Sequence, residues 1–203
     1  TINTAIRMKR LIVALLSIAA LCGCKGVRYD ISGTMAQDAA GQIYLVSADA
    51  EQATIASTTI DPADGTFRFK GRVEEPMLVI LTDDNESPIT ALFIEEGKVT
   101  VSYDENQGSY TASGTVSNDQ LMQLQMKYYS QAQSGASEEE QQQLIEEYNA
   151  AIQSIVDKNQ DNILGAYLFA RMESGNLSAA EIRARLDKFP KKLRETKMLK
   201  EIE

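Results

Sequence analysis

The chain has 203 residues and is acidic, with 20 Lys and Arg against 29 Asp and Glu and a net charge of −9 at neutral pH. It contains no His, which excludes a Ser-His-Asp or Cys-His triad and His-ligated zinc within this chain. The acidic balance also disfavours nucleic acid, which selects a basic surface. We therefore expect no nucleic-acid partner, no metal and no cofactor.

The first element along the chain, Met8 to Cys24, has the layout of a bacterial secretory signal. Lys9 and Arg10 precede an apolar run of 11 residues that ends in the sequence LCGC. We predict a lipoprotein processing box formed by Leu21, Cys22 and Gly23, with cleavage before Cys24 and lipidation of that cysteine. The alternative, a transmembrane anchor, needs ~20 apolar residues. Residues 1–7 precede the start methionine that this reading implies.

Cleavage there would remove three basic residues and no acid, which leaves 17 Lys and Arg against 29 Asp and Glu, a net charge of −12. The only cysteine left, Cys24, would carry lipid, so the mature chain would have neither a thiol nucleophile nor a disulfide. We therefore expect a non-enzymatic protein of the cell envelope, anchored by lipid alone. Lys25 and Gly26 follow the anchor without an acidic run, and on this basis we predict that it faces the periplasm.

From about residue 27 to residue 114 the sequence predicts an antiparallel β-sandwich of about eight short strands. The clearest strand, 66–73, alternates apolar and polar residues and follows the turn sequence DPADG. A hairpin turn is predicted at 95–98, between strands 91–94 and 99–103. The other predicted strands are 29–33, 42–47, 54–60, 77–81 and 109–114.

From Ser117 onward the apolar period becomes helical, and four to five helices are predicted. Capping-box patterns start at Ser117, Ser137 and Ser178. Further helices are predicted at 162–172, which is the most apolar, and at 191–202. The predicted apolar stripe of the helix after Ser137 consists of Leu144, Ile145, Tyr148, Ile152, Ile155 and Val156.

The fold class is therefore α+β. The predicted organisation is 1–23 upstream residues and signal, 24–28 lipidated tether, 29–116 sandwich and 117–203 helical segment.

Several motifs in this order resemble one known family. They are Ile31-Ser32-Gly33, Asp61 to Gly71 with its D-x-x-D-G-T-F core, Glu96 to Val101, and Ser113-Gly114-Thr115 with Asn118 and Leu121. This combination resembles domain of unknown function 4369. The resemblance implies a position before a thioredoxin-like redoxin domain in lipid-anchored bacterial thiol–disulfide oxidoreductases. The helical part is similar to the connector of those proteins, at Ala166-Tyr167 and from Leu177 to Phe189. The redoxin domain, with its Cys-x-x-Cys, would follow Glu203, so no redox residue is assigned here.

Other candidate sites have simpler structural explanations. Asp83 to Glu86 is an acidic loop that lacks the order of calcium ligands in an EF-hand. Asp61 and Asp64 suit a turn. The adjacent carboxylates Glu95 and Glu96 would point to opposite faces of a strand. One remaining candidate is an apolar contact face of Met122, Met126, Tyr128 and Tyr129, for which core packing is the alternative. The other is the basic segment 181–203, which is either a contact for an acidic partner or for lipid phosphates, or the solvated face of a terminal helix or linker.

Three functional hypotheses follow. The first is a non-catalytic envelope lipoprotein that binds a protein or peptide, by strand addition at an open sheet edge. The second is the front scaffold of a periplasmic thiol–disulfide oxidoreductase, with a thioredoxin-like domain as its partner. The third, a hydrolase using carboxylates alone, lacks a plausible acid/base pair.

Overall fold

The computed structural model describes residues 26–36, 40–105, 108–132 and 137–203. Within these residues, eight strands precede six α-helices, which confirms the α+β class. The strands are β1 (Val27–Thr34), β2 (Gln42–Ser47), β3 (Thr54–Thr59), β4 (Thr66–Val73), β5 (Met77–Thr82), β6 (Pro88–Ile94), β7 (Gly97–Asp104) and β8 (Ser109–Ser113). The helices are α1 (Val116–Ala132), α2 (Glu138–Lys158), α3 (Ile163–Leu168), α4 (Ala179–Leu186), α5 (Lys191–Arg194) and α6 (Lys197–Lys200).

The strands form two four-stranded sheets. Sheet A has the order β4-β1-β7-β8, and sheet B has the order β3-β2-β5-β6. All but one of the pairings are antiparallel; the exception is β1 with β7, which run parallel. The predicted sandwich is confirmed, and the sequence did not indicate the parallel pair.

The predicted hairpin at 95–98 is wrong. The turn exists, but β6 belongs to sheet B and β7 to sheet A, so the chain crosses between the sheets here. The physical reason lies in β6, where Leu92, Phe93 and Ile94 are all fully buried. A hairpin strand with one solvated face would leave alternate residues exposed. A strand buried on both faces instead lies between two layers.

The first hydrophobic core lies between the two sheets. The inward residues of β1 and β4, among them Ile31 and Phe69, meet those of sheet B, among them Leu45 and Leu81. The alternation predicted for 66–73 is confirmed, since Phe67 and Phe69 are buried and their neighbours Thr66, Arg68 and Lys70 are exposed. Period-two patterning therefore orients this strand correctly.

A second core joins the helices to the outer face of sheet B. Phe93 of β6 contributes to it, with Leu78 of β5 packed at its border. Phe93 meets Tyr167 edge-on with ring centroids 5.6 Å apart, and Phe169 packs against Phe189 at 5.6 Å. The molecule therefore has three layers, with sheet B in the middle.

The helix predictions are confirmed in part. Ser137 and Ser178 form complete capping boxes with Glu140 and Glu181. The segment predicted as 162–172 is α3 followed by a π-helical turn, Phe169–Glu173, and it is buried along most of its length. The predicted helix 191–202 is instead two short helices, because the chain turns at the buried Thr196, whose hydroxyl bonds to the Leu193 carbonyl at 2.6 Å.

Two helix predictions are wrong. The capping box at Ser117 does not form, since α1 already begins at Val116 and Ser117 bonds to Glu95. Ile145 does not belong to the apolar stripe of α2, since 53% of its surface is exposed, whereas Ile152 and Val156 are buried. The stripe that faces the core is therefore narrower near the start of this helix than the sequence predicted.

Candidate functional site

The edge strands of a sandwich are the parts of its backbone that most readily pair with another chain, because an unpaired edge offers free N–H and C=O groups. Sheet A ends at β4 and β8, and sheet B ends at β3 and β6. Three of these four edges carry features that discourage pairing with another strand. The fourth, β3, is also short, but it carries no charged side chain.

The edge strand β4 is protected from pairing with another strand by its charged side chains. The edge strand β8 is protected by its shortness and by a contact with β6. Arg68, Lys70 and Arg72 alternate along β4, and charged side chains on an edge oppose strand addition. Strand β8 has only five residues, and at Tyr110 its carbonyl accepts a hydrogen bond from Thr90 of β6 at 3.2 Å.

The edge of β6 is closed by a side chain of α1. The Asn118 amide oxygen accepts from the Phe93 N–H at 2.8 Å, and its amide nitrogen donates to the Phe93 carbonyl at 3.0 Å and to the Thr115 hydroxyl at 2.8 Å. Asn118 is buried, with 1% of its surface exposed. One amide thus replaces the backbone of a neighbouring strand at this position.

The carboxylate of Glu95 holds the start of α1 beside β6. It accepts from the Ser117 N–H at 3.2 Å and from the Ser117 hydroxyl at 2.9 Å. Glu96 is exposed, so the two adjacent carboxylates are not arranged as an acid/base pair. The position of Glu95 at a helix N-terminus is electrostatically favourable, and its role is structural.

Strand β3 is open. Among the described residues it pairs with β2 alone, through Ala56–Leu45, Ser57–Tyr44, Thr58–Ile43 and Thr59–Gln42. A register shift at Leu45/Val46 limits this regular ladder to those four positions of β3. No charged residue occurs from position 52 to position 60, and Ser57 and Thr59 are exposed. We take the β3 edge as the candidate site because it is regular, neutral and accessible.

The acidic turns are explained by local hydrogen bonds. Asp83 accepts from the N–H groups of Asn85 and Ser87, at 2.9 and 2.8 Å. Asp64 accepts from the N–H and hydroxyl of Thr66, at 2.9 and 2.7 Å, and the hydroxyl bond, followed by the N–H bond, lowers the pKa of Asp64. Asp61 accepts from the N–H of the alanine two residues on. Within the described ranges, no group of three or more acidic or thiol side chains is placed to hold a metal ion.

The predicted apolar face of α1 divides into buried and exposed parts. Tyr128 is buried, and so are Leu121 and Leu124 on the same side of the helix, which confirms core packing for this part. Met126 remains 43% exposed, and Met122 is half-buried. The Tyr129 side chain lies outside the described part of the structure. Among the described side chains of this predicted face, Met126 is the only exposed one.

The junction of sheet B with α6 is held by charge. The Lys197 ammonium bonds to Glu51 at 2.6 Å, and its backbone N–H bonds to both oxygens of Glu75, at 3.0 and 3.2 Å. The hydrogen bond to Glu51 is the largest cause that raises the Lys197 pKa, and the nearby charges of Asp49 and Glu201 raise this pKa further. The cleft beside them, lined also by Met198 and Tyr167, has a volume of about 60 Å³. A drug-sized ligand needs roughly 300 Å³ or more, so this cleft does not suit one.

The lipidation site predicted at Cys24, with its lipobox Leu21, Cys22 and Gly23, lies outside the described residues, which begin at Gly26. In the part of the chain that is described, no helix has both the length and the apolar character to span a bilayer.

Eight strands in two facing sheets, followed by a packed helical segment, make this an α+β protein built on a β-sandwich. Residues 29–121 match the family model of the domain of unknown function DUF4369, so this part of the chain is similar to that domain. The match ends at Leu121, within the first turns of α1, and includes Asn118 and the β6 edge that it closes. None of the curated proteins compared with the chain matches it.

Proposed function

We propose that this protein is a non-catalytic lipoprotein of the cell envelope that binds an extended segment of a partner protein along β3. The observation that carries the proposal is the open, uncharged edge from Ala56 to Thr59 in a sandwich whose other edges are protected. Strand addition uses main-chain hydrogen bonds for affinity and side-chain pockets for specificity. A peptide would extend sheet B next to β2.

The proposed anchor and the proposed lack of catalysis rest on the sequence. The lipobox pattern before Cys24 supports a lipid tether facing the periplasm, and β1 starts only three residues later, at Val27. The absence of His, and of a thiol once Cys24 is acylated, supports a binding role. Perturbed carboxyl pKa values at Asp64, Glu140 and Glu181 all arise from turn or cap hydrogen bonds.

A site-specific crosslink tests the β3 site. A photoreactive amino acid at Thr59 would capture the partner in intact cells, and mass spectrometry would map the crosslinked segment. In the same background, Ser57→Lys adds an edge charge that opposes strand pairing, while Ser102→Lys adds the same charge on an exposed position of the internal strand β7. We expect Ser57→Lys to reduce the crosslink at least about fivefold, which corresponds to roughly 1 kcal/mol.

Equal crosslink yields in the two lysine variants would refute the β3 site. A partner peptide that maps to a folded helix would refute strand addition as the mode of binding. The folded state of each variant is checked by its thermal unfolding, because surface substitutions of this kind change stability by no more than about 0.5 kcal/mol.

A second proposal is that the chain is the front scaffold of a longer thiol–disulfide oxidoreductase. The docking of α6 on sheet B favours it, since Lys197 fixes the last helix to Glu51 and Glu75 and would hold a following domain next to the sandwich. The intact mass of the protein from native membranes separates the two proposals. Residues 24–203 plus diacylglycerol and acyl groups would support the stand-alone lipoprotein, and a mass larger by a whole domain would support the scaffold.

A further inference from the structure

The outer face of sheet A concentrates the positive charge of the sandwich. Arg28 pairs with Arg72, Asp30 lies opposite both Lys70 and Lys98, and Arg68 lies opposite Ser32 on the same face. These five residues are all the Lys and Arg between positions 26 and 116: Arg28, Arg68, Lys70, Arg72 and Lys98. The remaining residues of this face are mostly hydroxyl-bearing: Ser32, Thr34, Thr66, Thr100, Ser102 and Thr111.

The acids on this face neutralise only part of the charge. Asp30 forms a two-point contact with Arg68, through bonds of 2.7 and 2.6 Å, and this contact lowers the Asp30 pKa more than Lys70 and Lys98 do. Asp104 lies at the opposite end of β7 from Lys98. With five basic and two acidic residues in the strands, the face has a net charge of +3. Glu74, Glu96 and Glu105 are exposed just beyond the strand ends.

This charge contrasts with that of the body as a whole, because residues 24–180, which include this face, carry a net charge of −15. The face is also accessible. Arg28, Lys70, Arg72 and Lys98 are exposed, and the described helices pack on the other sheet, against Phe93. An exposed, one-sided basic face on an acidic protein fits an anionic surface.

The basic end of the face adjoins the start of the chain's folded body. Arg28 and its neighbour Arg72 lie at the beginning of β1, and an Arg72 guanidinium nitrogen lies 3.5 Å from the carbonyl oxygen of Gly26. Cys24 is three residues before Val27, so its Cα is within about 11 Å of the Val27 Cα even when the chain is fully extended. A lipid on Cys24 would therefore keep this end within about one Debye length of the headgroups.

We propose that the outer face of sheet A, built around Arg28, Lys70 and Lys98, lies against the anionic headgroups of the phospholipid bilayer that holds the lipid anchor. This inference rests on the lipid anchor of the proposed function. It assigns the sandwich an orientation: sheet A toward the membrane, and sheet B with the helices away from it. One lipid anchor plus a basic surface is a known combination for firm attachment to anionic membranes.

The test uses the full processed protein, reconstituted into vesicles of phosphatidylcholine alone or of phosphatidylcholine mixed with phosphatidylglycerol. A water-soluble amine reagent labels exposed lysines, and peptide mass spectrometry gives the labelling rate of Lys70 and Lys98, with the exposed Lys158 of α2 as the reference. We expect Lys70 and Lys98 to react at least about fivefold more slowly on the anionic vesicles. Lys158 should be unchanged, and high salt should restore the rates.

A matched pair of variants distinguishes this face from the basic C-terminal segment. Arg28→Glu with Lys70→Glu should abolish the protection of Lys98, whereas Lys188→Glu with Lys192→Glu, the same charge change on exposed residues of the helical segment, should preserve it. Circular dichroism checks that both variants are folded. Protection that survives the first change and is lost with the second would overturn the proposal in favour of the C-terminal segment.

The failure of the anchor and the failure of the face give different results. A protein that does not float with phosphatidylcholine vesicles lacks the lipid anchor. The face is then tested by flotation with the anionic vesicles, which Arg28→Glu with Lys70→Glu must reduce. If the protein floats with both kinds of vesicle while Lys70 and Lys98 react at the same rate on both, it is anchored by its lipid, but sheet A does not lie on the membrane. This result overturns the inference.

Discussion

Removal of the Asn118 side chain is expected to be one of the most destabilising single changes in this protein. Asn118→Ala would leave the N–H and C=O of Phe93 without their partners in a fully buried position. Each unsatisfied buried group costs about 1–3 kcal/mol. The two together, with the space left by the amide, give an expected loss of about 3–5 kcal/mol in the free energy of unfolding.

This loss is measurable by urea denaturation and by thermal unfolding. For a body of this size, each kcal/mol shifts the melting temperature by about 2–4 °C, so Asn118→Ala should lower it by roughly 6–20 °C. Asn118→Asp separates the two bonds, because a carboxylate still accepts from the Phe93 N–H but meets the Phe93 carbonyl without a donor. We expect Asn118→Asp also to lower the free energy of unfolding by more than about 1 kcal/mol.

The matched control is Asn85→Ala. Asn85 is exposed, and its side chain donates only to Asp84, at 3.2 Å, so its loss should change stability by no more than about 0.5 kcal/mol. If Asn118→Ala were as stable as Asn85→Ala, the amide would not be closing the β6 edge, and our account of the protected edges would fail.

Two further changes test the helical layer. Gly165→Ala would place a Cβ 1.9 Å from the Asn159 carbonyl oxygen and should cost at least about 1–3 kcal/mol in urea denaturation, whereas Gly175→Ala, with open space around it, should be nearly neutral; equal losses would contradict the close approach. Ser178→Ala should cost about 1 kcal/mol as a lost cap. The Ser178 hydroxyl and N–H lower the Glu181 pKa, so the cap stabilises the fold above the ordinary carboxyl pKa and loses this contribution as pH falls through the lower folded value. The difference in the free energy of unfolding between wild type and Glu181→Gln should therefore shrink from neutral pH toward pH ~3. A difference that stays constant with pH would refute the role of the charge.

The sequence predicts those elements that depend on local patterns. The alternation in 66–73 and the apolar segment 42–47 place β4 and β2 at their observed boundaries, and the serine–glutamate spacing places the starts of α2 and α4. These patterns succeed because each one reports backbone geometry within a few residues.

The errors occur where partners are distant in the chain. Nothing local in 95–98 shows that the two strands enter different sheets, and Ser117 is recruited by Glu95, 22 residues earlier, instead of capping its own helix. The sequence does not identify the β3 edge for the same reason, since an open edge is defined by which strands fail to cover it. The sequence contains the Thr115–Asn118 spacing, but the role of Asn118 depends on its contact with the distant Phe93.

The central place of β1 in sheet A has a consequence for the order of folding. The hairpins β2–β3 and β5–β6 join neighbouring segments, whereas Ile31 of β1 pairs with Phe69 on one side and Val99 on the other. Contacts between distant segments form slowly, because long loops must close first. In a chain made from its N-terminus, one edge of β1 stays unpaired until the seventh strand has been made, and during that interval this edge is open to other chains.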